Sequence, residues 1–318
     1  MKVMRAAAID RFGEPEVLQI HSLPVPEPGE GDVLIALDTA GVGIWDAEMR
    51  AGWSPSGRTE FPLVLGSDGA GTVAAVGSRV QRLQVGDEVY AYSFDNSRGG
   101  FYAEYVVVAA ENAARIPKGL NLINAGAIPT TGLTALQGLD DALKIERGET
   151  VLIHGAAGGV GSLAVQFAKL RGARVIATAT GADGIEFVRR LGVDEALDGR
   201  HEDIAEEIRR VAPAGVSALL AFAGGDSLEH CLDGAGGECR LAYPHGVEPE
   251  PKKRKGLRVI TYNGMPGVDE FARLTAAVEE AKLQVPIAAS YPLGDAAKAH
   301  ERIAAGHVLG KIVLRTRG

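Results

Sequence analysis

The run Gly155-Ala156-Ala157-Gly158-Gly159-Val160-Gly161 carries the most readable chemistry in this chain. Side chains this small let a backbone come close to a phosphate group. A helix that begins inside such a run aims its unpaired N–H groups and its positive dipole end at the phosphate. The binding residues expected here are Ala157, Gly158, Gly159, Val160 and Gly161. Glycines alone are weak evidence. They gain force only between a strand and a helix, at the right distance from a second strand.

That context is present. Val151 to His154 has strand character, and Val160, Leu163, Ala164, Phe167 and Ala168 repeat at helical spacing. Gly172 stands where a left-handed helix cap belongs, and Arg174 to Thr178 is a second strand. The unit is βαβ. From Glu149 onward strands alternate with helices: strands at 150–154, 174–178, 195–198, 216–222, 238–243 and 257–262, helices near 159–171, 183–191, 202–211, 226–234 and 268–282. This predicts a doubly wound parallel sheet. Ligands bind such sheets at the carboxyl ends of the strands, which adds Phe222, Ala223 and Tyr243 to the expected site. His154 reads as a satisfied structural histidine and His245 as a loop residue.

Residues 1–122 are rich in strands and turns, with strands expected at Met4 to Ile9, Val33 to Thr39, Val64 to Val76, Glu88 to Ala91 and Tyr102 to Ala109. Pro24, Pro26 and Pro28 argue for a loop. Glycines at the bends suit a small curved barrel. Asn121 to Leu143 reads as helix interrupted by Pro129, and after Pro286 short strands return around a helix at Asp295 to Ala305. The fold class is therefore α/β: a β-barrel domain at 1–122, a nucleotide-binding domain at 123–282, and a return to the barrel at 283–318.

The chain has 318 residues, 46% hydrophobic and 23% charged, with a net charge of −8. That acidity argues against nucleic acid as a partner. Lys252 to Lys255 is the one basic run and reads as a solvated loop. Two cysteines, Cys231 and Cys239, supply neither a disulfide framework nor a zinc site, and suit a reducing cytoplasm. No stretch is long and apolar enough to span a membrane, and the first residues lack a signal core.

In this order, AAIDRFGEPEVL (7–18), FPLVLGSDGAGTVAAVG (61–77), VGDEVYA (85–91), GGFYAEYVVV (99–108), HGAAGGVGSLAVQFAK (154–169) and AHERIAAGHVLGKIVL (299–314) resemble the medium-chain dehydrogenase/reductase superfamily. The nearest branch is that of the zinc-free quinone oxidoreductases. The resemblance implies a GroES-like barrel with a Rossmann domain, and a homodimer paired through the edge strand near 257–262. It also implies NADPH-dependent reduction of quinones or α,β-unsaturated carbonyls by direct hydride transfer. Zinc enzymes of the superfamily carry a Cys where this chain has Gly43 and a His–Glu pair where it has Ser67 and Asp68, so no metal is expected. At the end of the second strand stands Ala179, followed by Thr180, with no carboxylate to select NADH. Arg200 falls where the branch contacts the cofactor phosphate, and Thr131 where the superfamily packs on the nicotinamide.

The same comparison places the substrate along 41–53, with Gly43, Trp45 and Ser67 as binding residues and Asp46 and Trp53 as catalytic candidates. The branch usually has Asn at Gly43 and Tyr at Glu48. Those departures leave the proton donor open. Rival expectations are an enoyl-thioester reductase and an NADPH-binding protein of low turnover.

Overall fold

The computed structural model describes residues 2–54, 57, 59–94 and 96–317. The chain opens with β1 (Val3–Ile9), β2 (Gln19–Pro24) and β3 (Asp32–Val42), then α1 (Ile44–Ala51). Next come β4 (Leu63–Val64), β5 (Asp68–Val76), β6 (Glu88–Tyr92), β7 (Tyr105–Ala109) and β8 (Ala113–Arg115). Helices α2 (Leu122–Gly126) and α3 (Pro129–Gln137) follow, the second ending in a π turn at Gly138–Leu143.

The alternating segment runs β9 (Thr150–His154), α4 (Gly159–Leu170), β10 (Arg174–Ala179), α5 (Gly181–Arg190), β11 (Glu195–Asp198) and α6 (Ile204–Val211). It continues with β12 (Ala218–Ala221), α7 (Asp226–Ala235), β13 (Cys239–Pro244), β14 (Leu257–Tyr262) and α8 (Val268–Ala281). The chain closes with β15 (Ile287–Pro292), α9 (Ala296–Ala304) and β16 (Lys311–Arg315).

Two compact units result. One holds the chain up to Thr130 with Pro266–Glu279 and the segment from Ile287; the other holds Thr131–Met265 and Glu280–Pro286. The first unit takes in residues 123–130 and 266–279, beyond the boundaries drawn from sequence. Its claim on them is physical. The Thr130 N–H donates to Asp68 Oδ2 (3.0 Å), and Phe271 stacks edge-on to Tyr90 (4.9 Å), whose hydroxyl lies 2.9 Å from Thr275 Oγ1.

In the second unit six parallel strands lie in the order β11-β10-β9-β12-β13-β14. The order reverses between β9 and β12, the switch point of a doubly wound sheet. Leu152, Ile176, Leu219 and Leu241 fill its core from neighbouring strands. Gly172, at φ +77°, terminates α4 as expected.

The first unit holds a seven-stranded sheet, β15-β16-β3-β5-β6-β8 with β7 also on β3, and a three-stranded sheet, β2-β1-β4. Register shifts between Leu34 and Ile35 and between Leu37 and Thr39 bend β3. The stretch expected as one strand from Val64 to Val76 is two, β4 and β5, assigned to different sheets. Gly66, at φ +93°, makes the break. The strand expected from Tyr102 begins only at Tyr105, because Ala103 leaves to bridge Ala6. Strand β2 was not foreseen; its Pro24 is tolerated because β2 is an edge strand.

Gly71 on β5 lies so close to β3 that a Cβ there would run into the Ala36 carbonyl, whereas one at Gly31 would meet nothing within 4 Å. Gly71→Ala should therefore cost roughly 1–3 kcal/mol of overpacking. Gly31→Ala should leave the melting temperature unchanged. Thermal denaturation of the two variants side by side checks this.

Candidate functional site

In the second unit the site is the turn from β9 into α4. The Gly155 backbone takes φ +77°, and a Cβ at Gly161 would strike the Gly155 carbonyl. Glycine is thus demanded by the protein itself at both ends of the turn. Gly158 is different. Its φ is −76°, and a Cβ there would meet only the Gly155 oxygen, at 3.6 Å. The protein leaves that space open. Ser162 N–H takes the Gly158 carbonyl, but the N–H groups of the first turn of α4 have no acceptor within the helix. Bare donors, a positive helix end and open space at Gly158 fit the diphosphate of a dinucleotide.

The strand ends around this turn carry the other expected residues. Phe222 N–H donates to the His154 carbonyl, extending the β12–β9 pairing past the strand, and Ala223 follows it. Tyr243 is buried near the end of β13, and Thr131 is buried in α3. Ala179 pairs with Asp198, Gly199 N–H reaches the Ala179 carbonyl, and Arg200 comes next, exposed. Arg200 and Thr180 therefore share one corner of the sheet edge. His154 is structural, as expected. Its Nδ1 lies 2.8 Å from Thr178 Oγ1 and its Nε2 3.1 Å from Ser227 Oγ, and burial lowers its pKa to about 4. His245 is exposed. The basic run is less free than expected: Arg254 forks onto Glu229 and Asp233 of α7.

In the first unit the site is α1 and its neighbours, a helix the sequence reading did not separate from the 41–53 loop. Gly43 is its N-cap, and Asp46 Oδ2 reaches back to accept the Gly43 N–H (2.7 Å). A side chain at Gly43 would collide with the Trp45 indole. Trp45 Nε1 donates to Ser67 Oγ (2.7 Å). Gly43, Trp45, Asp46 and Ser67 are thus brought together. Trp53 is not. It sits 48% exposed beyond the far end of α1, with its ring 5.8 Å from Phe94.

Four further residues escaped the sequence reading. The Tyr102 hydroxyl donates to Asp46 Oδ2 (3.1 Å) and meets His300 Nε2 (3.1 Å). A hydroxyl proton can be given only once, so His300 donates through Nε2–H. Burial, then the Arg50 charge, lower the His300 pKa to about 3, so the ring is neutral. Arg50 is buried with Nε and Nη1 unpartnered among the described residues. Lys311 is buried at the start of β16, 4.9 Å from the Trp45 ring. Only its position, opening an apolar strand, could have drawn attention to it.

Residues 29–118 match the alcohol dehydrogenase GroES-like domain, and residues 191–314 a zinc-binding dehydrogenase domain. The quinone oxidoreductase of Pongo abelii is 31% identical over 326 residues, covering 98% of each chain. Among solved structures, an NAD-dependent alcohol dehydrogenase superposes with TM-score 0.91 at 34% identity, over 98% of this chain and 99% of that one. The quinone oxidoreductase from Coxiella burnetii gives 0.88 at 31%, over 99% and 100%. The Escherichia coli quinone oxidoreductase complexed with NADPH gives 0.87 at 26%, over 98% and 99%. The chain belongs to the medium-chain dehydrogenase/reductase superfamily, in its quinone oxidoreductase branch, and is an oxidoreductase.

Zinc does not fit the residues of this site. A catalytic zinc takes three protein ligands in a tetrahedral array. Gly43 has no side chain, and the Ser67 hydroxyl is engaged by Trp45. Among the described residues no group of three or more His, Cys, Asp or Glu is placed to hold a metal.

Burial pushes the Asp46 carboxyl from 3.8 up to about 7, against the opposing pull of the Gly43 N–H and Lys311. The sign of the consequence is fixed. The folded state holds this proton where the unfolded chain has lost it, so the contribution to stability is complete below about pH 4 and lost as pH rises to about 7. Asp46→Asn removes the titration. Relative to that variant, the wild type should lose up to a few kcal/mol between those limits and little outside them. Urea denaturation across pH reads it, and a gap independent of pH would contradict it.

Proposed function

We propose that this chain is an NADPH-dependent, zinc-independent reductase of quinones or α,β-unsaturated carbonyls. The observation that carries the proposal is the pairing of Gly43 with Trp45. Where a zinc enzyme needs a ligand, this chain lays an indole tied to Ser67. With no metal to polarise a simple alcohol or carbonyl, acceptors that are already electron-poor are favoured. Reduced nicotinamide, when bound, supplies the hydride.

The chain's own residues supply the rest. Ala157, Gly158, Gly159, Val160 and Gly161 hold the diphosphate, with Thr131, Phe222, Ala223 and Tyr243 along the dinucleotide. Thr180 and Arg200 receive the adenosine phosphate. Gly43, Trp45 and Ser67 form the acceptor's seat, and Trp53, exposed beyond the far end of α1, takes no part in it. Asp46 holds the start of α1 in place through the Gly43 N–H. Full-length likeness to quinone oxidoreductases, one of them solved with NADPH, supports the choice of cofactor and acceptor.

The small-molecule acceptor is the expected partner, together with a second copy of the chain. β14 has one neighbour, β13, and its Val259 is 41% exposed, so its free edge supports pairing with its equivalent across a dimer axis. Light scattering should read twice the chain mass of 33.2 kDa. A monomer would remove the dimer. Both cysteines are free and buried, which suits a reducing cytoplasm.

NADPH oxidation followed against a panel of quinones and enals tests the activity; no turnover with any of them would end the proposal. Arg200→Ala should raise the Michaelis constant for NADPH about 10-fold and leave that for NADH unchanged, as expected for one charge-assisted phosphate contact. Equal effects on both cofactors would take Arg200 out of the site.

A further inference from the structure

Lys311 is 5% exposed, yet no hydrogen bond or ion pair joins it to the described residues. Its ammonium lies 4.9 Å from the Trp45 ring and interacts electrostatically with the buried Asp46 carboxyl. The Asp68 carboxylate also lies close to the Lys311 stem. A Cβ on Gly41 would meet both Asp68 Oδ1 and the Lys311 Cε, the latter at 3.0 Å. Asp68 Oδ2 accepts the Thr130 N–H, and Oδ1 has no partner among the described residues. Burying an ammonium with no hydrogen-bond acceptor is costly, and a negative or strongly polarised oxygen from a ligand supplies one. The place for that oxygen is beside Trp45 and Ser67.

We infer that Lys311 is the electrophile of this enzyme, receiving the acceptor's oxygen and stabilising the negative charge that oxygen gains. The inference rests on the proposed reductase activity. For an enal, hydride bonds to the β-carbon, the C=C pair moves to join the α-carbon and carbonyl carbon, and the carbonyl pair moves onto oxygen. Lys311 Nζ–H donates to that oxyanion. A proton from water completes the product at the α-carbon, and Lys311 keeps its three hydrogens. Trp45 fixes the ammonium from one side, and Ser67 fixes Trp45. A charge held ready in a dry site stabilises an oxyanion without reorganising at the moment of reaction.

The test uses 4-nitrophenolate, a flat oxyanion that cannot accept hydride at its oxygen, with protein saturated in NADP+. Wild type should bind the phenolate and lower the pH at which the bound phenol ionises, read from its visible spectrum. Lys311→Met should weaken phenolate binding by at least about 10-fold and kcat by about 10²–10³-fold, the loss seen when an oxyanion donor is removed. The dissociation constant for NADPH, read by nicotinamide fluorescence, should not change. Lys311→Arg should recover part of both losses. If Lys311→Met does not fold, Lys311→Gln carries the same comparison. Unchanged phenolate binding overturns the inference. So does weakened NADPH binding with kcat intact, which would assign the charge to the cofactor. Phenolate binding that depends on Lys311 in a protein that reduces no quinone or enal would sink the reductase proposal and leave the oxyanion site standing.

Discussion

The nucleotide-binding unit depends on one close approach: the Gly161 backbone against the Gly155 carbonyl, at the first turn of α4. No other residue type fits both ends of that turn, so β9 can hand the chain to α4 within a few residues. The consequence is a helix that starts at the switch point of the sheet with its first N–H groups bare. The sheet's hydrophobic core, Leu152 and Ile176 among it, holds the strand ends rigid around that turn. Binding at such a site draws on backbone alone, which is why its residues look chemically inert.

The barrel unit shows the opposite economy. Here side chains carry the site, and several are buried at a cost. Asp46, Tyr102 and His300 form a chain of hydrogen bonds through an apolar interior, joining α1, the loop before β7, and α9. Such networks hold one arrangement and penalise others. This one fixes the start of α1, where the Trp45 indole lies against Gly43. The Trp45 indole fills the space that a side chain at Gly43 would take. The buried Lys311 ammonium lies 4.9 Å from the ring of that indole.

Much of this was legible in the sequence because the signal was local. The strand–glycine–helix–strand pattern at 150–179 shows in residue types within one short stretch, and β11 and β14 fall where the periodicity puts them. Helix α1 was missed because it spans only Ile44–Ala51, and its carboxylate cap acts from Asp46, inside the first turn, rather than from the N-cap. β2 was obscured by Pro24, which an edge strand allows. The split of β4 from β5 depends on the backbone conformation of Gly66, which composition does not report. Tyr102, His300 and Lys311 lie in separate parts of the chain from α1, so their convergence on it is a property of the barrel's topology, not of spacing. Trp53 had the right type for a site, but α1 turns it away from Asp46, toward Phe94.

The central claim is that the space beside Gly158 is left empty by the protein for a dinucleotide's diphosphate. Titration calorimetry of NADPH against wild type and Gly158→Ala tests it most directly, because the one added carbon meets nothing in the protein nearer than the Gly155 oxygen, at 3.6 Å. The account predicts one NADPH bound per wild-type chain and none by the variant, with both proteins melting at the same temperature. A variant that binds NADPH as tightly as wild type would contradict it.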